Sequence, residues 1–111
     1  MLNNKDYCDY DTCVALKELG YNYASDYRCD TIENMICNIP TITLWNAQKW
    51  LRGEKIYIDV ACNRGEESIF YDYEIITMSD CTLCDKFYSS YEEALLEGVK
   101  TCVKILKERG C

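Results

Sequence analysis

Histidine is absent from this 111-residue chain. That single absence removes Ser-His and Cys-His nucleophile pairs and every imidazole metal ligand. Any metal would have to be held by thiolates or carboxylates. Proline occurs once and glycine five times, too few for a Pro/Gly-rich linker, and there is no internal repeat or low-complexity tract. A chain of this length accommodates one domain around one core, spanning residues 1–111. Long apolar runs are missing too, which excludes a transmembrane helix and predicts no membrane partner.

Positive charge is scarce. Twelve basic residues against 19 acidic ones give a formal charge of -7. Lys100, Lys104, Lys107 and Arg109 follow one helical pattern toward its end, where cations complement the helix dipole. Such a surface repels phosphate, so no nucleic-acid partner is expected. Neither G-x-x-x-x-G-K nor G-x-G-x-x-G occurs, so the common phosphate cradles are missing as well. An acidic protein can still bind a basic partner. The opening "MLNNKDYCDY" is polar and acidic, without the basic start and apolar stretch of a signal peptide. The expectation is a cytoplasmic protein whose nine cysteines are reduced thiols. An odd count cannot pair completely within one chain.

What is present is the balance of a folded chain, 49% hydrophobic and 28% charged, with an excess of tyrosine that suits half-buried strands and partner-binding surfaces alike. In "DYDTCVALKELGYN", Asp9 or Asp11 caps a helix, Cys13, Leu16 and Leu19 form its apolar stripe, and Gly20 supplies a left-handed stop. Residues 21–40 carry weak alternation around Tyr27 and Cys29 and read as one or two short strands. In "TITLWNAQKWLRG", Thr43 caps a second helix, Leu44, Ala47, Trp50 and Leu51 share a face, and Gly53 ends it.

"KIYIDV" alternates as a strand with Ile56, Ile58 and Val60 on one face. "CNRGEES" turns the chain into a second strand, "IFYDYEIITM". A loop holding Cys81 and Cys84 follows, with Lys86–Tyr88 as a brief third strand. In the last segment, Ser90 and Glu93 have the capping-box spacing. Ala94, Leu95, Gly98, Val99, Cys102, Ile105 and Leu106 then make one broad apolar face, ended by Gly110. The economical assembly is α+β: a small antiparallel sheet of three to four strands with two to three helices packed on one face.

Taken together, "LKELGY", "PTITLWNAQKWL", "IYIDV", "YEI" and "SSYEEALLEGVKTCVKIL" resemble a group of small uncharacterised proteins. These are carried by phages and integrated mobile elements of Bacteroides-type gut bacteria. In that group a short N-terminal helix leads to a "P-T-L…A-x-K-W-L-R" helix, a hairpin and a final "S-Y-E-E-A" helix. The likeness spans most of residues 10–106, with residues 21–40 departing from it, and rests on Trp50, Leu51, Tyr91 and Ala94. It implies an origin and an order of elements, and carries over no catalytic residue.

Cys81 and Cys84 form a C-x-x-C. A thioredoxin-like pair should open a helix whose N-terminus depresses the first thiol's pKa, but "DKFYSS" separates Cys84 from the next helix. Asp80 and Asp85 flank the pair and disfavour thiolates. A structural zinc needs a second pair of ligands, and neither Cys8 with Cys13 nor Cys29 with Cys37 has close spacing. The reading is two reduced cysteines at a hairpin end, with no cofactor. A zinc module organised by Cys81 and Cys84 is the alternative.

Glu66–Glu67 and Glu92–Glu93 are neighbouring carboxylates that do not face each other on a helix, and no catalytic set emerges. The expectation is a non-enzymatic accessory protein acting by protein–protein contact. Its partner-binding patch would be the sheet face carrying Tyr71 and Tyr73, with outward-pointing Trp45 contributing. Without a partner, that patch would self-associate into a homodimer at high concentration.

Overall fold

The computed structural model describes residues 6–21, 26–32, 35–84 and 86–109, with the backbone alone for 26–32 and 35–41. Local signals in the sequence set the helices. Helix α1, Tyr10–Glu18, starts where the Asp9 carboxylate accepts the Thr12 amide at 2.9 Å. Its end is a Schellman turn around Gly20, whose φ is 109°. There the Gly20 amide donates to Lys17 O and the Tyr21 amide to Leu16 O, satisfying carbonyls that the last turn would otherwise leave bare.

Helix α2, Leu44–Gly53, is capped by Thr43, which accepts the Asn46 amide at 3.1 Å. Its end corrects the expected stop at Gly53. That glycine is the last helical residue, and the left-handed position falls to Lys55, with φ 66°. Lys55 and Ile56 donate to Arg52 O and Leu51 O, so both short helices close with the same turn on different residues.

Residues 26–41 contain two strands, β1 (Asp26–Ile32) and β2 (Met35–Thr41), paired antiparallel as a separate hairpin. Pro40 lies within β2 opposite Tyr27, tolerable because a two-stranded ribbon has free edges. The main sheet is an antiparallel meander of β3 (Tyr57–Arg64), β4 (Ile69–Ile76) and β5 (Cys81–Leu83). The third strand is thus Cys81–Leu83, and the expected Lys86–Tyr88 strand reduces to a single bridge between Tyr88 and Tyr71.

Helix α3, Tyr91–Arg109, begins where Ser90 Oγ accepts the Glu93 amide at 3.2 Å. The Glu93 carboxylate takes its bond from the Ser89 hydroxyl. This helix crosses β3 and β4, while α2 packs on α3 and β3, and α1 packs on α3. The result is an α+β fold with helices against one face of the sheet. Its core gathers Leu16, Ile42, Leu44, Leu51, Ile56, Ile58, Ile75, Leu95 and Val99. Gly98 is the point of closest approach. A Cβ there would lie 2.8 Å from Ile58 Cγ2 and 3.6 Å from the Tyr73 ring, so only a glycine lets α3 sit this near the sheet.

Candidate functional site

Strand parity decides which side of the sheet is available. Ile58 and Ile75 face each other across β3 and β4 and are buried under the helices. Tyr73 and Tyr71 share the parity of Ile75, so they point the same way. Tyr73 is 8% exposed, and its hydroxyl lies 2.9 Å from Thr101 Oγ1 on α3. Tyr71 is half-buried and meets the Tyr91 ring edge-on, with centroids 6.3 Å apart. This corrects the expected docking patch: Tyr73 is a core residue, and Tyr71 leans against α3. The physical reason is the opposite parity of β4. It carries Asp72 and Glu74, whose burial without counter-charges would cost far more than burying two phenol rings that find partners.

The uncovered face is therefore made of the residues between those tyrosines. Register places Tyr57 opposite Ile76, Asp59 opposite Glu74, Ala61 opposite Asp72 and Asn63 opposite Phe70. From β5, Cys81 joins the first of these rows and Leu83 the second. Leu83 is 72% exposed and Phe87 64% exposed. The Phe87 ring packs on Phe70 with centroids 4.5 Å apart and planes inclined by 60°.

Beside this pair lies a shallow hollow of about 210 Å³ lined by Asp72, Tyr73, Leu83, Cys84, Lys86 and Phe87. Tyr57, Ile76 and Met78 add exposed apolar surface on β3 and β4 and just after β4. The face thus mixes three aromatic rings and aliphatic side chains with three carboxylates. Asp59 and Glu74 stand directly across from each other, a like-charge pairing that is unfavourable unless a cation or water screens it.

The C-x-x-C is split by this architecture. Cys81 is an exposed strand residue opposite Ile76, not a loop residue as expected. Cys84 is half-buried, and its sulfur stands in for a backbone carbonyl at the end of the ladder. It accepts the Tyr73 amide at 3.3 Å and donates to Lys86 O at 3.1 Å, while the Cys84 amide bonds Tyr73 O at 3.1 Å. Both hydrogen-bonding roles of this thiol are used locally, which gives Cys84 a structural purpose. Among the described residues no three Cys, Asp or Glu side chains converge where a metal ion could sit.

Trp45 is 43% exposed at the start of α2, on a helix, and so does not belong to the sheet face with Phe70 and Phe87. Sequence reasoning missed Phe70, Leu83 and Phe87. The signal for Phe70 was its shared parity with Asp72 and Glu74. Leu83 and Phe87 gave none, because their position depends on where β5 pairs. No helix among the described residues is long and apolar enough to cross a membrane. No protein-family model, curated protein or solved structure matches this chain.

Proposed function

We propose that this chain is a small non-enzymatic accessory protein of phage or mobile-element origin that acts by protein–protein contact. Its docking surface is the uncovered sheet face around Phe70, Leu83 and Phe87, and its partner presents a basic segment with apolar side chains. One observation carries this reading: exposed Leu83 and Phe87, the latter packed on half-buried Phe70, sit on the same face as Asp59, Asp72 and Glu74, with none of the described helices over them. Exposed apolar area of this kind tends to mark interaction sites, and aromatic side chains concentrate interface energy. The carboxylates and the overall charge of -7 favour a cationic partner over an acidic one.

A synthetic amphipathic lysine/leucine peptide tests the chemistry directly. Titrated into labelled protein, it should shift the backbone amide resonances of Phe70, Leu83 and Phe87 more than those of α1. Binding should weaken with added salt and with Glu74→Lys, and should be lost in Leu83→Ser/Phe87→Ser. Shifts centred elsewhere would overturn the assignment of the face. Concentration-dependent dimerisation of the free protein, abolished by the same double substitution, would replace the basic partner with a second copy of the chain.

A further inference from the structure

Cys8 and Cys13 occupy the two positions that a helix start uses for an apolar clasp. With Asp9 as the cap of α1, Cys8 is the residue just before it and Cys13 the fourth residue of the helix. Those are the positions whose side chains meet in a hydrophobic staple. Here both members of the staple are thiols, and both are buried. The Cys13 thiol donates to the Cys8 carbonyl oxygen at 3.7 Å, which brings the two cysteines together at the start of the helix. Cys8 is held in place by its amide, which donates to Ile42 O at 2.8 Å. The adjoining Tyr7–Thr43 bridge ties the same segment to the start of α2.

The two thiols are chemically unequal. The hydrogen bond from Cys8, opposed by burial and helped by the Ile42 amide, lowers Cys13 to about 7. Asp9 opposes that shift and Lys17 assists it. The same thiol–thiol bond, with burial, drives Cys8 upward. The electrostatics of the pair thus favour the thiolate at Cys13 and the thiol at Cys8. Burial alone gives the opposite result at Cys102, which is raised to about 12.

We propose that Cys8 and Cys13 are a modification site: a dithiol that closes to an intramolecular disulfide when the protein meets a low-molecular-weight disulfide oxidant, R–S–S–R. The Cys13 thiolate attacks one oxidant sulfur, forming Cys13–S–S–R and expelling RS⁻. Cys8 then loses its proton to the released thiolate and attacks the Cys13 sulfur, expelling the second RS⁻, which takes a proton from water. The two protein thiols are oxidised by two electrons, and the oxidant is reduced to two RSH.

Both sulfurs are covered, so the first step waits on opening of the first turn of α1, whose Tyr10 and Asp11 are exposed. Helix ends open at far lower cost than the whole fold. Once formed, the bond fastens the Tyr7–Cys8 segment to α1 covalently. This inference does not depend on the sheet face or its partner.

The sequence makes the test clean, because the tryptic peptide from Asp6 to Lys17 contains Cys8 and Cys13 and no other cysteine. The reduced full chain is incubated with oxidised glutathione under native conditions, quenched in acid and mapped by mass spectrometry. That peptide should lose two hydrogens and carry no glutathione. The exposed Cys62 and Cys81 should react sooner and stop as glutathione adducts. The melting temperature should rise in step with closure of the peptide. In Cys8→Ser, glutathione should remain on Cys13. A wild-type peptide that keeps a glutathione adduct on Cys13 would overturn the proposal. So would a peptide whose two thiols are still alkylatable after Cys62 and Cys81 have fully reacted. Neither outcome requires the variant to fold.

Discussion

The Tyr73 hydroxyl donates a hydrogen bond to Thr101 Oγ1 at 2.9 Å, joining the centre of the sheet to the middle of α3. The direction follows from Thr101, whose single hydroxyl proton is directed at Glu97 O, 3.0 Å away. A tyrosine chosen from the sequence as a docking residue is thus a link in the core. Tyr73→Phe should cost about 0.5–1.5 kcal/mol, the net worth of one hydrogen bond. Tyr73→Ser removes the ring as well and should cost about 3–5 kcal/mol. Urea melts of both variants check this, with equal and negligible losses contradicting the assignment.

Two glycines should respond to alanine in opposite directions. Gly53 lies in the last turn of α2 with nothing within 4 Å of a built Cβ. Gly53→Ala should therefore stabilise by roughly 0.5–1 kcal/mol through helix propensity. At Gly98 the new methyl would meet Ile58 Cγ2 at 2.8 Å, and the strain should outweigh propensity, for a net loss of about 1–3 kcal/mol. Thermal or denaturant melts of the two variants should differ in sign.

Lys55 holds a left-handed backbone at φ 66° to close the turn after α2. A side chain in that conformation costs of order 1 kcal/mol that glycine would not incur. Lys55→Gly should stabilise by up to about 1 kcal/mol, less the extra entropy that glycine gives the unfolded chain. The same melts measure it, and a clear loss of stability would contradict the turn.

Asp9 predicts a pH dependence. Partial burial pushes its carboxyl up, but the Thr12 hydroxyl and amide and the Lys100 ammonium outweigh that and hold it below its ordinary value of 3.8. Lys100 lies 3.1 Å from the Asp9 carboxylate and is itself raised by it. A depressed carboxyl stabilises the fold above its unfolded pKa, and the benefit is lost as pH falls through the lower folded value. Asp9→Asn keeps a good cap without the charge. The stability gap between wild type and Asp9→Asn should be constant near neutrality and narrow in acid below the ordinary aspartate range.

How much of this was legible in the sequence depends on how local the physics was. The caps at Asp9, Thr43 and Ser90 act within three residues, so Thr43 and Ser90 were readable outright and Asp9 as one of two candidates with Asp11. So were the buried stripes of α2 and α3, where Leu44, Ala47, Trp50 and Leu51, or Leu95, Val99 and Cys102, repeat at helical spacing. Strand β5 was not legible, since three residues of weak pattern acquire their identity only by pairing with β4. The side of β4 that packs inward was misread because both parities hold large apolar groups. Asp72 and Glu74 could have settled it, for two carboxylates weigh more against burial than Phe70 weighs for it. The staple thiols escaped notice because only the cap at Asp9 turns a wide cysteine spacing into proximity.

The thiol of Cys84 that completes the edge of the sheet is also a built-in clock. Its sulfur is engaged by the Tyr73 amide and Lys86 O, so a small alkylating reagent should capture it faster when those two bonds are released. The rate of capture, compared with exposed Cys62 and Cys81, therefore rises and falls with the integrity of one segment of backbone. The natural chain reports it with its own chemistry, without a dye or an added label.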